Sequence, residues 1–308
     1  MISPPVLRKG SKVTILSSAR KIAPAELRAP IALLKNWGLK VELGKNIYSA
    51  DNQFAGTVQQ RIQDLQNALD DPSCEAIIFA RGGYGSVQLI DHLNFNSFLK
   101  NPKWLVGYSD VCVFHSHLQQ LLSCESIHAT MPVNFPKSGK DNQSTIALKE
   151  VLFGEAPKYH FLKRNKLNRN GSTKAEVVGG NLSILYSLTG TASSLNTNNK
   201  ILFLEDLDEY LYHIDRMMMN LKRAGMLENL SGLLIGGMTS MNDNLIPFGK
   251  TAEEIIADNV KEYSFPVAFD FPAGHLDENL PLILGRKAAL EVSENGVLLE
   301  FNDTGKQL

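Results

Sequence analysis

Residues 75–85 read Glu75-Ala76-Ile77-Ile78-Phe79-Ala80-Arg81-Gly82-Gly83-Tyr84-Gly85, and this stretch decides the fold. Its first half is a short, continuous apolar run, which is typical of a strand buried on both faces of a parallel sheet. The adjacent glycines after it allow a tight turn that exposes backbone amides. Ligands bind at that edge of doubly wound sheets. The turn is therefore predicted to be an oxyanion hole, a phosphate loop of unusual spacing, or only a tight turn.

The surrounding sequence alternates strand and helix signals in the same way. Further strands are predicted at 12–16, 39–43 and 104–107. Helices are predicted at 25–37, at 58–69 after the capping residue Thr57, from Ser86 onward, and at 111–122. Repeated βα units imply an α/β fold with a doubly wound parallel sheet.

The composition changes beyond this region. Residues 136–144 are polar, and residues 163–173 are basic and rich in Asn. We therefore predict a first domain at 1–140, a linker region at 141–173 and a second domain at 174–308. Strands resume at 201–204, 232–235 and 266–270. The helix between them has an apolar face that is predicted to be core, formed by Ile214, Met217, Met218, Leu221 and Ala224.

The overall composition excludes several classes of protein. The 308 residues carry 31 basic and 32 acidic side chains, a net charge of -1, so no global charge favours nucleic acid or an anionic membrane. No apolar stretch reaches 18 residues, and the N-terminus does not resemble a secretory signal. Three cysteines, Cys74, Cys112 and Cys124, cannot all pair. Cys74 and Cys112 have apolar neighbours in the sequence and are predicted to be small buried hydrophobes. Together these features predict a cytoplasmic protein.

A second motif, Gly107-Tyr108-Ser109-Asp110, stands between a predicted strand and a predicted helix. A serine on a sharp strand-to-helix turn has the geometry of a nucleophile elbow. The helix N-terminus would stabilise negative charge that develops beside it. The alternative is that Ser109 only caps the helix, and the motif by itself does not separate the two.

Two later motifs supply an acid and a histidine. Glu205 and Asp206 follow a hydrophobic strand, and an acid at that place can hold a histidine in the correct tautomer. His275 lies in a loop shaped by Pro272 and Gly274, again just past a strand, and His128 is its rival. No spacing of Cys and His suggests zinc, so no metal is expected.

Taken in this order, the motifs resemble those of the L,D-carboxypeptidase family of serine peptidases. That family contains enzymes of muropeptide recycling and a subgroup that confers immunity to microcin C-type peptide-nucleotides. The resemblance covers nearly the whole chain and rests on these segments: Arg81-Gly82-Gly83-Tyr84-Gly85, Gly107-Tyr108-Ser109-Asp110, Gly179-Gly180-Asn181-Leu182, Leu204-Glu205-Asp206 with 212–225, Gly274-His275, and Leu282 to Gly285. The chain departs from the family pattern at Ser17-Ser18 and at Ala129-Thr130.

The resemblance implies a role for each matching residue. Ser109 would be the nucleophile, Glu205 the acid and His275 the base, with backbone amides of Gly83 and Asp110 forming an oxyanion hole. It also implies a flavodoxin-like N-terminal domain, a smaller α/β C-terminal domain, an active site in the cleft between them, and a homodimer.

The predicted function is serine carboxypeptidase chemistry on a peptide, without metal or cofactor. The substrate that the resemblance suggests is the bond to the terminal D-alanine of murein tetrapeptides. Arg81 is a candidate clamp for the terminal carboxylate, and Asn181 is a candidate for binding the substrate backbone. Three alternatives stay open: a microcin C-type peptidyl-nucleotide hydrolase of the same family, a non-enzymatic α/β metabolite-binding protein, and a pseudoenzyme that acts as an interaction protein.

Overall fold

A computed structural model describes residues 1–162 and 165–303, which form two β-sheets with helices packed around them. The strands are β1 Lys12–Leu16, β2 Lys40–Leu43, β3 Cys74–Phe79, β4 Trp104–Gly107, β5 Ser126–His128, β6 Lys158–Phe161, β7 Gly171–Asn181, β8 Ile201–Leu207, β9 Gly232–Thr239, β10 Val267–Ala268, β11 Leu282–Leu284, β12 Lys287–Ser293 and β13 Gly296–Phe301. The helices are α1 Pro24–Asn36, α2 Val58–Asp70, α3 Asn96–Lys100, α4 Cys112–His117, α5 Gln143–Leu152, α6 Leu182–Leu188, α7 Leu211–Arg223 and α8 Ala252–Asn259.

The first sheet has the flavodoxin-like arrangement that was predicted. Its order is β2-β1-β3-β4-β5-β11, and β1 to β5 pair in parallel. Each of the first four predicted strands is confirmed to within one residue at its ends. The strand order reverses between β1 and β3, so the carboxyl ends of these two strands form the switch point where such sheets bind ligands.

The sixth strand of this sheet comes from the other half of the chain. Leu282–Leu284 pairs antiparallel with β5, Leu282 opposite His128. The sequence analysis did not predict that the C-terminal half adds a strand to the first sheet. It places the C-terminal half directly beside the carboxyl ends of β4 and β5.

The second sheet is mixed. Its order is β10-β9-β8-β7-β12-β13-β6; β7 to β10 pair in parallel, and the remaining strands pair antiparallel. A continuous apolar core joins the two halves and includes Ile78 and Val106 of the first sheet and Phe203 and Leu234 of the second. Because apolar side chains fill the junction, the two sheet edges hold a defined cleft between them.

The region between the two predicted domains contains regular secondary structure. The range 141–173, predicted as a linker, contains α5 and β6, and β6 is an edge strand of the second sheet. Lys163 and Arg164 of that range lie outside the described residues.

The helix predicted from Ser86 is wrong. The chain forms two 3-10 turns, Ser86–Gln88 and Ile90–His92, and then the short helix α3. The backbone is extended at Leu93, which ends the second turn, and the Asn94 side chain then accepts a hydrogen bond from the Asn96 amide at 2.8 Å at the start of α3.

The predicted core face of α7 is confirmed for four of its five residues; the fifth, Ala224, follows the end of the helix and is exposed. Ile214, Met217, Met218 and Leu221 are fully buried, while the neighbouring Met219 is 41% exposed. All three cysteines are unpaired and buried, as expected for Cys74 and Cys112. In the part of the chain that the structure describes, no helix is long and apolar enough to span a bilayer.

Candidate active site

A cavity of about 460 Å³ lies between the carboxyl edges of the two sheets. Loops after β1, β3, β4 and β5 line one side, and residues from the ends of β7 and β8 and the loop before β11 line the other. The cavity lining includes six of the seven candidate site residues: Arg81, Gly83, Ser109, Asp110, Asn181 and His275. The seventh, Glu205, is fully buried. Both halves of the chain therefore contribute to this cavity, which lies at the switch point of the first sheet.

Ser109 occupies a strained turn at the end of β4. Its φ is 64°, in the left-handed region that side-chain-bearing residues rarely adopt. The residue opens the 3-10 turn Ser109–Val111, which leads into α4, and its hydroxyl forms no hydrogen bond with any residue described by the structure. The side chain is half-buried and lines the cavity. The turn thus presents the hydroxyl to the cavity and not to the helix end as a cap.

Glu205 and His275 form a close pair, although 70 residues separate them. The Nδ1 of His275 lies 2.7 Å from Oε2 of Glu205, and the His275 amide donates to the same oxygen at 3.2 Å. Gly274 allows this approach: its φ is 102°, and a Cβ there would lie 2.6 Å from Oε2 of Glu205. Glu205 is fully buried, whereas His275 lines the cavity.

The charges of this pair stabilise each other. Burial opposes ionisation of Glu205, but the positive charge and hydrogen bond of His275 outweigh it and lower the pKa of the carboxyl to about 2. Burial likewise opposes protonation of His275, but the charge and hydrogen bond of Glu205 raise the pKa of the imidazole above its ordinary 6.5. With Nδ1–H donating to the carboxylate, Nε2 of neutral His275 is free to accept a proton.

Ser109 and His275 line the same cavity from opposite domains. The ring of Tyr108, the residue before Ser109, lies 4.8 Å from the His275 ring, centroid to centroid. Over the described residues, no hydrogen bond joins the Ser109 hydroxyl to His275. Such bonds are often long in ligand-free enzymes and shorten when substrate is bound.

Gly83 of the glycine loop and Asp110 of the Ser109 turn both line the cavity. The amides of Gly83 and Asp110 donate to no acceptor within residues 1–162 and 165–303. The Asp110 side chain is directed elsewhere: it is buried, and its Oδ2 accepts from the Ser86 amide at 2.8 Å. Burial raises the pKa of this carboxyl. Asp110 therefore connects the two loops through its side chain and not through its amide.

Arg61, which the sequence analysis did not identify, supports the glycine loop from below. It is 2% exposed, and its guanidinium donates to the carbonyls of Ser18 at 2.7 Å and Gly85 at 3.2 Å. The sequence did contain a signal for this role, because Arg61 lies on the apolar face of α2 with Leu65. An arginine on a buried face must find hydrogen-bond acceptors there.

Asp206, the second acid of the Glu205-Asp206 motif, is bonded to Asn181 and Ser183 and not to His275. Oδ1 of Asp206 accepts from Asn181 Nδ2 at 2.8 Å, and Oδ2 accepts from the Ser183 amide at 2.8 Å. Burial and the neighbouring Glu205 charge raise the pKa of Asp206 to about 7. Asn181 also caps α6 through the Ile184 amide at 3.2 Å, so its side chain, although it lines the cavity, is occupied by internal bonds.

The rival histidine does not reach the cavity. His128 is fully buried, and its Nε2 lies 3.9 Å from Oε1 of Glu205, beyond hydrogen-bond distance. Neither His128 ring nitrogen has a hydrogen-bond partner in the described structure. Nor does that part of the chain place three or more His, Cys, Asp or Glu residues so that they could hold a metal ion.

Comparisons with known proteins identify the family. A model of the LD-carboxypeptidase N-terminal domain matches residues 13–129, and a model of the LD-carboxypeptidase C-terminal domain matches residues 174–290. The chain therefore belongs to the LD-carboxypeptidase family of serine peptidases, and it is a peptide hydrolase of the carboxypeptidase class. This confirms the family and the enzymatic activity expected from the motifs.

Two curated relatives have the same overall length. The chain is 29% identical over 303 residues to a probable murein peptide carboxypeptidase of Bacillus subtilis, covering 96% of this chain and 94% of the relative. It is 28% identical over 297 residues to the murein tetrapeptide carboxypeptidase of Pseudomonas aeruginosa, covering 91% and 93%.

Solved structures show the same fold. The muramoyltetrapeptide carboxypeptidase from Oxalobacter formigenes superposes with a TM-score of 0.86 at 23% identity, over 95% of this chain and 99% of that one. A mutant of the microcin C7 self immunity protein MccF, in complex with adenosine monophosphate, superposes with a TM-score of 0.84 at 19% identity, over 97% and 98%. Both likenesses confirm the two-domain α/β architecture.

Proposed function

We propose that this carboxypeptidase is a serine L,D-carboxypeptidase that removes the terminal D-alanine of murein tetrapeptides through Ser109, His275 and Glu205. One observation carries the proposal: the 2.7 Å contact between His275 and buried Glu205 faces a cavity whose opposite wall presents the strained Ser109 turn. A base, its orienting acid and an exposed nucleophile then share one cleft. The names of the two curated relatives support the choice of a murein peptide.

The first half of the reaction forms an acyl-enzyme. Nε2 of neutral His275 removes the Ser109 hydroxyl proton while Oγ attacks the scissile carbonyl carbon. Glu205 accepts the Nδ1–H bond, holds the imidazole in this tautomer and stabilises the imidazolium that forms. The free amides of Gly83 and Asp110 donate to the oxyanion, which is worth about 3 kcal/mol per donor in the transition state.

The second half releases the two products. Protonated His275 gives its proton to the leaving nitrogen, the C–N bond breaks, and D-alanine departs. Neutral His275 then deprotonates a water molecule, which attacks the Ser109 ester, and the imidazolium returns the proton to Oγ. The tripeptide acid and the free enzyme result, with one water consumed. A homodimer and a cytoplasmic location, both expected from the sequence, stay predictions.

Substrate choice is tested by product release. Wild-type protein, with EDTA present, is expected to release D-alanine from a murein tetrapeptide and to release nothing from the matching all-L peptide. D-Alanine is measured by chiral chromatography. Hydrolysis of a peptidyl-nucleotide amide in place of the tetrapeptide would contradict the murein assignment and favour the microcin-type alternative. Release of L-alanine from the all-L peptide would contradict the stereochemical assignment.

The pH dependence of the reaction follows from the His275–Glu205 pair. Only neutral His275 can accept the Ser109 proton, and Glu205 raises the pKa of His275 above 6.5. We therefore expect kcat/KM to fall as the pH is lowered through an apparent pKa above 6.5 and to recover as it is raised. The measurement is kcat/KM between pH 5 and pH 9, spanning about two units around that value.

A control variant at another histidine–glutamate pair tests whether the effect is specific to His275. Glu209 pairs with His213 at 2.6 Å and does not line the cavity, so Glu209→Gln should leave the acid limb in place. An acid limb below pH 6.5 in the wild-type enzyme would contradict the assignment of His275 as the base.

A further inference from the structure

Two arginines line the cavity, and they differ in what surrounds them. Arg81, in the glycine loop, donates from Nη1 to the Lys21 carbonyl at 3.2 Å, and the same nitrogen lies 3.8 Å from Oε1 of Glu26. Its charge therefore has a carboxylate beside it. The Arg20 guanidinium forms no hydrogen bond and no ion pair with any residue in the described ranges. Arg20 is the cation left available for a ligand.

The stem of Arg20 lies on the loop that contains the proposed oxyanion hole. A Cβ placed on Gly83 would be 2.6 Å from Cγ of Arg20, 2.7 Å from its Cδ and 3.1 Å from its Nε. Gly83 therefore leaves the space that the Arg20 side chain occupies as it crosses this loop. Arg20 lines the cavity together with Gly83 and Ser109, and its side chain is exposed to solvent.

The backbone of Arg20 is held in place while its charged end is free. Arg20 forms an isolated antiparallel bridge with Phe54, the Lys21 amide donates to the Gln53 carbonyl at 3.0 Å, and the Ala55 amide donates to the Ala19 carbonyl at 2.9 Å. The loop after β1 is thereby tied to the segment before α2. The Arg20 side chain therefore reaches the cavity from a fixed point of the backbone.

The charges of the cavity wall are separated. Arg20 and Arg81 lie on the side of the first sheet, whereas Asp206 and Asp208 lie at the end of β8 on the opposite side. A peptide carboxylate is attracted to the first side, which carries the two guanidinium charges. A guanidinium recognises a carboxylate through two parallel hydrogen bonds, which gives direction as well as affinity.

We propose that Arg20, and not Arg81, binds the terminal carboxylate of the peptide and so makes this enzyme an exopeptidase. The free acid of the leaving D-alanine would lie against the Arg20 guanidinium while its nitrogen faces His275. This inference rests on the proposed function, since it places the leaving group beside Ser109 and His275. The sequence analysis proposed Arg81 for this role, but the contacts of Arg81 with the Lys21 carbonyl and Glu26 give it a structural role in positioning the glycine loop.

The test compares a murein tetrapeptide with the same peptide carrying a C-terminal amide. Wild-type enzyme should prefer the free acid by about 100-fold in kcat/KM, the size expected for hydrogen bonds to a charged group. Arg20→Gln should lose most of this preference, mainly through a higher KM for the acid, because the carboxylate is bound equally in ground and transition states. Arg20→Lys keeps the positive charge but cannot form two parallel hydrogen bonds, so it should keep more of the preference than Arg20→Gln does.

Arg81→Gln is the matched variant, and it should keep the preference for the acid. Thermal unfolding of each variant shows whether it is folded. Retained preference in folded Arg20→Gln, or loss of preference in Arg81→Gln alone, would overturn the inference while leaving the proposed function in place. If the wild-type enzyme hydrolyses neither peptide, the proposed function fails and the inference fails with it.

Discussion

Ser109→Ala is expected to lower kcat by about 10⁶-fold, the loss seen when the nucleophile of a serine peptidase is removed. Without Oγ no acyl-enzyme can form, and the oxyanion amides and His275 can act only on a direct attack by water. Peptide binding should change little, because Ser109 contributes one small side chain to the cavity wall. The measurement is single-turnover D-alanine release, together with tetrapeptide binding by calorimetry.

The strained turn adds a second expectation at the same position. Because Ser109 has a φ of 64°, Ser109→Gly should stabilise the fold by about 1 kcal/mol while removing activity, since glycine adopts this conformation without steric cost. Unfolding in urea measures the gain. A nucleophile held against the conformational preference of its backbone is one way in which activity opposes stability.

Ser183→Ala is the matched control for the nucleophile. Ser183 also lines the cavity, and its hydroxyl donates to Oδ1 of Asn181 at 2.8 Å. Its loss should leave most of the activity. Turnover that survives Ser109→Ala, or that disappears equally in Ser183→Ala, would show that Ser109 is not the nucleophile.

Glu205→Gln is expected to lower kcat by about 10⁴-fold, as when the orienting acid of a triad becomes an amide. The amide cannot stabilise the imidazolium, and its NH₂ group favours the tautomer with the proton on the wrong nitrogen. The residual activity should also have a different pH profile. Since the Glu205 carboxylate raises the pKa of His275, its removal should move the acid limb of kcat/KM to lower pH.

The neighbouring acid provides the control. Both Asp206 oxygens accept internal hydrogen bonds, from Asn181 and Ser183, and neither contacts His275. Asp206→Asn should therefore reduce activity much less than Glu205→Gln does. A greater loss in Asp206→Asn, with both variants folded, would show that Asp206 is the orienting acid.

Local patterns in the sequence were sufficient for the elements and the motifs. Alternating apolar runs and helical periods predicted β1 to β4, α1, α2 and the buried face of α7, because each depends on residues near one another in the chain. The helix from Ser86 was wrong, because residues 86–92 form two 3-10 turns and the backbone becomes extended at Leu93. Ser109, Glu205 and His275 were found because each follows a strand in a short, recognisable segment.

The sequence by itself determined a two-domain α/β carboxypeptidase with its candidate residues at strand ends. Only the tertiary structure decided how those ends meet. Pairing β11 with β5 brings the halves together, and packing at Gly274 brings His275 to Glu205. Arg20 carries no motif, and it stands out only because every described neighbour leaves its charge without a partner. Periodicity reports which face of an element is buried, whereas contacts between distant residues depend on how the whole core packs.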